Sequence, residues 1–189
     1  MRWDALFADL EAQLAAEERL DLELEVDERA RVESSGIELA DRLRGSMGRR
    51  VGVQLTIGAA FEGTLSHAGS QWLVLDEQRH QVLIPHASVA RYSGLAMLAV
   101  GGGTSRAQRL GLASALRGLA RDRARLAAMV QGPAGGPVLY GVIDRVGRDF
   151  FDLAETDPGE ERRAANVRAV ATIPFGALAA LRSERGGLG

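Results

Sequence analysis

The fold is decided by the stretch RRVGVQLTIGAAFEGTLSHAGSQWLVLDEQRHQVLIPHASVARY, residues 49–92. Short apolar runs alternate here with polar residues and are divided by Gly, Asp and Pro. Alternation with a period of two is typical of strands that bury one face. The sequence therefore predicts a small antiparallel sheet or barrel. Its five strands are expected near residues 51–55, 61–65, 72–75, 82–84 and 88–92, with Pro85 ending the fourth.

The same spacing returns 78 residues further along the chain. This shift carries six positions onto residues of the same type: Phe61, Gly63, Leu65, Gly69, Trp72 and Leu75 onto Leu139, Gly141, Ile143, Gly147, Phe150 and Leu153. After a loop that is 11 residues longer, Ile84, Pro85 and Val89 fall on Ile173, Pro174 and Leu178. Self-similarity at a fixed offset predicts a second copy of one structural unit. Two unrelated strand segments of similar composition are the alternative.

Residues 43–94 resemble the Sm/LSm family in the segments GRRVGVQL (48–55), FEGTL (61–65) and WLVL (72–75). The resemblance implies a short helix that leads into a bent five-stranded barrel, with Gly63 at the sharp bend of the second strand. The physical reason is independent of the family, since a glycine between inward-facing Phe61 and Leu65 lets a small sheet curl onto itself. Residues 125–182 resemble the same unit with a longer approach to the fourth strand.

The residues that hold RNA in Sm-like proteins are missing from both copies. The family places an Asp and an Asn after the second strand, and an Arg-Gly pair after the fourth. Here Gly69 and Gly147 occupy the Asp place, and His86 and Phe175, each preceded by Pro, stand near the Arg-Gly place. The resemblance therefore implies the architecture without the nucleotide pocket.

We accordingly expect an α+β, mainly β protein with two small Sm-like five-stranded barrels, an N-terminal helical arm and a linking helix. The expected segments are an acidic N-terminal helical arm over residues 1–45, a first Sm-like barrel over 46–94, a Gly-rich joint and linking helix over 95–124, a second Sm-like barrel over 125–182 and a flexible tail over 183–189.

The arm begins with apolar residues at helical spacing, which predicts an amphipathic helix over residues 2–19. Residues 20–33 alternate apolar and acidic side chains, a strand pattern, although a continuing helix stays open. A short helix is expected over 37–43.

The linking helix is expected over residues 106–123. Its apolar face carries Leu112, Leu116 and Leu119, and a second face carries arginines at multiples of four. These arginines are Arg109, Arg117, Arg121 and Arg125.

Several classes of function are excluded by composition. The chain has no cysteine, and all 23 basic residues are arginine, a bias typical of a GC-rich genome. Thiol chemistry, thiolate metal sites, a Walker lysine and a Schiff-base lysine are therefore impossible. No apolar run approaches the roughly 18 residues of a membrane helix, so we expect a cytoplasmic protein without membrane contact.

Charge is distributed unevenly along the chain. Residues 1–41 hold 13 acids and 4 arginines, a net charge of −9, whereas residues 42–189 carry a net charge of +7. Opposite charges on one chain attract at short range. We therefore expect the acidic arm to cover the basic remainder, the alternative being that the arm completes a barrel core.

Candidate binding residues come from loops that share one end of an Sm-like barrel. They are His67, Gln71 and His86 in the first copy, Arg145, Arg148 and Phe175 in the second, and Arg117 and Arg121 on the linking helix. Arginines beside an aromatic ring suit phosphate contact and base stacking. The alternative is that these are ordinary loop residues, with Phe175 packed into the barrel.

Catalytic and metal sites find little support in the sequence. His80 is expected at the end opposite His67 and His86, so the three histidines do not converge. Ser88, His86 and Asp76 lack nucleophile-elbow spacing. We expect no enzyme, cofactor or metal, but an intracellular binding or regulatory module that acts through protein–protein interaction. The alternative is an RNA or other nucleic-acid binding protein, and homo-oligomers stay open for either function. A continuous arginine surface would favour nucleic acid, and an apolar groove would favour protein.

Overall fold

A computed structural model describes residues 36–100, 111–158 and 163–184. The predictions for the acidic arm up to residue 35, for Arg109 and for most of the C-terminal tail lie outside these residues. The chain from Leu39 onward forms one compact unit. Within the described ranges, no helix combines the length and apolar character that a membrane crossing requires.

The described residues form ten strands, two α-helices and four short 3-10 helices, which confirms the mainly β class. The helices are α1 (Leu39–Gly45) and α2 (Leu112–Arg121). The strands of the first half, residues 39–93, are β1 (Arg50–Leu55), β2 (Ala60–Ala68), β3 (Trp72–Glu77), β4 (His80–Pro85) and β5 (Val89–Ser93). Those of the second half, residues 112–184, are β6 (Arg125–Val130), β7 (Val138–Val146), β8 (Phe150–Glu155), β9 (Ala169–Pro174) and β10 (Leu178–Glu184).

All ten strands belong to one antiparallel sheet, in the order β5-β1-β2-β3-β4-β10-β6-β7-β8-β9. The five strands predicted for the first half are confirmed. Their alternation is visible in β1, where Val51, Val53 and Leu55 are buried and the residues between them are not. The division of the sheet into two five-stranded barrels stays a prediction.

The pairings of the first half recur in the second. β2 and β3 shift register between Leu65 and His67, and β7 and β8 shift between Ile143 and Arg145, 78 residues later. Each turn is closed alike, because Gly69 N donates to Trp72 O and Gly147 N donates to Phe150 O, both at 2.8 Å. Strands β4 and β5 correspond to β9 and β10 at an offset of 89 residues.

Two of the shared glycines lie where neighbouring backbones approach closely. A Cβ atom at Gly63 would lie 2.7 Å from Asp76 O, and one at Gly141 would lie 2.1 Å from Ala154 O. Real Cβ contacts essentially never fall below 3.0 Å. A side chain at either position would therefore push two paired strands apart.

The halves are joined by a seam, which we define as the pairing of β4 with β10. Leu83 lies opposite Leu181, Val82 opposite Arg182, and His80 opposite Glu184. Ser88 reinforces the seam, since its buried Oγ lies 2.8 Å from Ala179 O and 2.8 Å from Pro85 O. The single hydroxyl hydrogen of Ser88 can be donated to only one of these two carbonyls at a time.

The buried side chains form two core clusters that interleave across the seam. Ala179 and Ala180 of β10 pack in the first cluster, with the side chains of β1 to β4 and Leu43 of α1. Trp72 and Leu83 of the first half pack in the second cluster, which Phe151 and Leu153 dominate. Each half thus contributes side chains to the core of the other.

Helix α2 covers the second core cluster, with Leu112 and Leu116 buried and Leu119 half-buried against it. The predicted leucine face is confirmed, but the prediction that Arg125 extends the arginine row is wrong. The helix ends at Arg121, the chain turns through Arg123 with φ at 51°, and Arg125 begins β6. Residues 95–100, which begin the segment predicted as a Gly-rich joint, belong to neither a helix nor a strand.

Candidate functional site

In the first half, the turn after β2 is hydrogen-bonded to His86, the residue that follows β4. His86 N donates to Gln71 O at 2.9 Å. The imidazole Nε2 of His86 lies 3.2 Å from Gly69 O, and its Nδ1 lies 2.9 Å from the Tyr92 hydroxyl. A carbonyl only accepts, so Nε2 carries the hydrogen and Nδ1 accepts from Tyr92. The two contacts match a neutral ring with its hydrogen on Nε2.

The electrostatics of this pair follow from burial. Desolvation lowers the pKa of His86 below its ordinary value, although the Gly69 carbonyl opposes the shift. Burial also raises the pKa of Tyr92 to about 12. Both groups are therefore neutral near pH 7.

Gln71 connects this end of the first half to helix α2. Its side-chain Oε1 accepts a hydrogen bond from Leu112 N at 3.0 Å, in the first turn of α2. The side chain therefore satisfies one of the helix N–H groups that have no partner within the helix. His67 is exposed on β2 opposite Val74.

The equivalent end of the second half centres on Arg145. Its guanidinium pairs with Asp152 through Nε at 2.8 Å and Nη2 at 2.7 Å, and its Cζ lies 5.7 Å from the centroid of the Phe150 ring. Asp152 also accepts from the Thr172 hydroxyl at 2.7 Å. The Thr172 hydroxyl, with a smaller contribution from Arg145, holds the pKa of Asp152 below its ordinary value against the opposing effect of desolvation.

Arg117 extends from the linking helix to the turn that follows Arg145. Its Nη2 lies 3.5 Å from Gly147 O, the residue before exposed Arg148. Arg121 is exposed one turn further along α2. Phe175 donates its N–H to Asp149 O at 2.8 Å, but its ring is half-buried against the second core cluster. Phe175 is therefore only partly accessible for stacking, whereas Arg117, Arg145 and Arg148 share one loop region.

Helix α2 contacts the turn after β2 in the first half and the turn after β7 in the second half. Leu112, which Gln71 binds, and Arg117, which reaches Gly147, are five residues apart on α2. At a rise of 1.5 Å per residue they are separated by about 7.5 Å along the helix axis. Gln71 and Arg117 therefore connect the candidate loops of both halves to α2.

Sequence reasoning missed an exposed apolar strip beside α1. The segment 95–100 runs along this helix: Val100 N donates to Asp41 O at 3.1 Å, and the Arg42 guanidinium donates to Ala96 O at 3.3 Å. The strip, which we define by its five exposed side chains, consists of Leu39, Met47, Met97, Leu98 and Val100. Met97 is 90% exposed and Leu98 is 70% exposed. The apolar run at residues 95–100 was visible in the sequence. Its composition is equally typical of a strand and of an exposed surface segment, so it did not identify the strip.

The candidate triad of Ser88, His86 and Asp76 is not assembled. The Ser88 hydroxyl binds main-chain carbonyls at the seam, and both ring nitrogens of His86 bind elsewhere. Asp76 accepts from the Gln81 amide at 2.8 Å and from Ser66. In the part of the chain that the structure describes, no three His, Asp or Glu side chains group as metal ligands.

A scan against protein-family models found no match, and a search of curated proteins found no significant match.

Proposed function

We propose that this chain is a non-enzymatic binding module that acts through protein–protein interaction, built from two Sm-like barrels joined edge to edge. The observation that carries the proposal is the state of the outer sheet edges. Among the described strands, β5 pairs only with β1 and β9 pairs only with β8. An unpaired edge offers a row of N–H and C=O groups to a strand of another protein.

The seam indicates how such an edge would be used. β4 and β10 pair in the middle of the sheet, and β9 and β5 are their counterparts at an offset of 89 residues. The outer edges lack one feature of the seam, since Ala177 stands at the position that corresponds to Ser88. An outer contact would therefore be weaker than the seam and suited to a reversible partner.

The exposed apolar strip supports the same function. Large apolar side chains that are exposed together often mark protein-binding surfaces. The flexible side chain of Met97 and the small side chain of Leu98 can fit different partners, as the side chains of methionine-rich binding surfaces can. We place the protein in the cytoplasm as part of this proposal.

The experiment is affinity capture from lysate, with and without nuclease, using the full chain and two variants. Val170→Lys adds charge to edge strand β9, where Val170 is 58% exposed. Val138→Lys is the matched control, because Val138 is 43% exposed on the interior strand β7. We expect a nuclease-resistant protein partner that Val170→Lys loses and Val138→Lys keeps. Capture that disappears with nuclease contradicts the proposal, and capture that both variants retain excludes β9 as the binding edge.

Nucleic-acid binding is the second candidate, favoured by Arg117, Arg145 and Arg148 at the turn after β7, where Arg145 lies over the Phe150 ring. Guanidinium groups next to an exposed loop suit phosphate contact, whose strength falls steeply with salt. Arg148→Glu should then weaken RNA binding and reduce its salt dependence, whereas Arg49→Glu should change both far less. Equal effects of the two charge reversals would remove the support for a site at this loop.

A further inference from the structure

The two outer edges of the sheet correspond to the two strands that form the seam. The seam joins β4 to β10, and at an offset of 89 residues β9 is the counterpart of β4 and β5 is the counterpart of β10. Among the described strands, β9 and β5 lie at opposite ends of the sheet and each has one neighbour. The chain therefore carries a second matching pair of strands, which the sheet keeps apart.

The seam gives the register that a contact between these edges would have. Val82 lies opposite Arg182 in the seam, and Leu83 follows it in β4. A shift of 89 residues leads from these strands to uncharged residues, which would pair as Ala171 with Ser93 and Thr172 with Tyr92. Like charges directly opposite each other destabilise a strand pair, and these pairs have none. The outer edges are therefore compatible with pairing in the register of the seam.

Strand β9 carries none of the charge that commonly protects an exposed edge. Its sequence AVATIP, residues 169–174, contains no charged side chain, and Val170 is 58% exposed. Soluble proteins usually guard such edges with charged residues, because an unguarded edge pairs with other strands. Pro174 is compatible with pairing, since its counterpart Pro85 ends β4, which pairs in the seam.

One hydrogen bond of the seam is missing from the outer edges. The Oγ atom of Ser88 lies 2.8 Å from Ala179 O across the seam. At the corresponding positions, Ala177 has no hydroxyl for the carbonyl of Ala90. The substitution Ala177→Ser would supply that hydroxyl.

One ion pair of the seam is missing as well. Arg182 of β10 pairs with Glu77 of β3 at 2.9 Å, between Nη2 and Oε2. The outer edges keep the acid, since Glu155 of β8 corresponds to Glu77, but Ser93 takes the place of Arg182. The substitution Ser93→Arg would restore a cation at this position.

We propose that the partner of the outer edges is a second molecule of this chain, added head to tail so that β9 of one molecule pairs with β5 of the next. The proposal rests on the proposed function and names its partner. One chain already forms this junction between its own halves, so a second molecule presents a matching strand to each edge. Because the two edges differ, association continues beyond a pair unless the assembly closes. The missing hydrogen bond and ion pair make the contact weaker than the seam.

Sedimentation equilibrium of the purified full chain tests the proposal, because no other protein is then present to occupy the edges. We expect the average mass to rise with protein concentration. Ala177→Ser should strengthen association by about two- to tenfold. Ser93→Arg should strengthen it by about two- to fivefold through Glu155 of the next molecule, and Ser93→Glu should weaken it by a similar factor. Ser70→Arg is the matched control at an exposed turn and should associate as the parent does.

Mixing two blocked variants tests the head-to-tail direction. Val170→Lys adds charge to β9 and leaves β5 intact, whereas Ser93→Glu adds charge to β5 and leaves β9 intact. Each variant alone should associate less than the parent, because every contact then includes one altered edge. An equimolar mixture should associate more than either variant alone, because the two intact edges can pair. Circular dichroism establishes that each variant is folded at the temperature of the measurement.

A purified chain that stays monomeric up to about 1 mM, a concentration that reveals a Kd of that size, would overturn the proposal. Capture of a different protein from lysate would then still support the proposed function. Equal weakening by Ser93→Arg and Ser93→Glu would overturn the register taken from the seam and the proposal with it. A mixture that associates no more than its components would overturn the head-to-tail contact.

Discussion

Replacing Gly141 with alanine adds one methyl group at the closest backbone approach between β7 and β8. The new Cβ would meet only backbone atoms: Ala154 O at 2.1 Å, Ala154 C at 2.9 Å and Glu155 Cα at 3.2 Å. The three nearest atoms are thus all backbone, which cannot move aside as the end of a flexible side chain could. The strands must separate until the 2.1 Å distance reaches the 3.4 Å of ordinary van der Waals contact. At Gly63 the corresponding separation starts from 2.7 Å, so the same substitution should cost less.

The cost can be estimated from its parts. Overpacking costs about 1–3 kcal/mol, and a stretched ladder hydrogen bond loses about 0.5–1.5 kcal/mol. Alanine restricts the unfolded chain more than glycine does, and this effect raises the free energy of unfolding by about 0.4–1 kcal/mol. Gly141→Ala should therefore lower the free energy of unfolding by about 2–3 kcal/mol and Gly63→Ala by about 1–2 kcal/mol. For a chain of this length Gly141→Ala should lower Tm by about 4–12 °C. Valine at either position should cost more than alanine, because its branched side chain needs more space.

Gly118 provides the matched control. It lies inside α2, and a Cβ there would meet nothing within 4 Å. Alanine stabilises a helix interior relative to glycine by about 1 kcal/mol, so Gly118→Ala should raise Tm. Calorimetry and urea titration on the three variants measure the effects. A Gly141→Ala protein that melts at or above the parent temperature, or above Gly63→Ala, would refute the close approach of β7 and β8.

Three further substitutions probe other parts of the chain. Ser88→Ala leaves the Ala179 carbonyl without its hydroxyl partner at the seam and should lower the free energy of unfolding by about 1–3 kcal/mol in urea titration, whereas Ser70→Ala at an exposed turn should change it little. Leu116→Ala empties a fully buried site under α2 and should cost about 2–5 kcal/mol in the same assay; a cost below 1 kcal/mol would contradict the burial of that helix face. Burial lowers the folded-state pKa of His86 below 6.5. As the pH falls, the unfolded chain therefore takes up a proton at His86 before the folded chain does. The contribution of His86 to stability is full above pH 6.5 and is lost as the pH drops towards the folded pKa. His86→Gln should flatten the pH dependence of Tm in that window, and an unchanged slope would contradict the buried neutral ring.

The strands could be predicted because each carries its own signal. Alternation in β1 and the glycines at the close approaches are local properties that a single sequence displays. The end of α2 was harder to place, since Arg125 continues a spacing of four that a helix would also give. The helix is ended by a left-handed turn at Arg123, and an arginine side chain gives no sequence signal for that conformation.

The candidate site was predictable only in part. Arg117, Arg145 and Arg148 come together because the turn after β7 lies beside α2, and the duplicated spacing located that turn. The seam, where His80 lies opposite Glu184, was not predicted from the sequence. About a hundred residues separate these strands along the chain, and no local pattern in one of them specifies the other.

The seam also determines how the protein should unfold. If the two halves were independent, Gly63→Ala and Gly141→Ala would each lower the stability of one half and leave the other unchanged. Trp72 and Leu83, however, pack in the second core cluster, and Ala179 and Ala180 pack in the first. Unfolding one half therefore exposes apolar surface of the other, and side chains in one shared core are energetically coupled. Both glycine variants should consequently shift a single cooperative transition, and two separate transitions in either variant would mean that the interleaved cores contribute little.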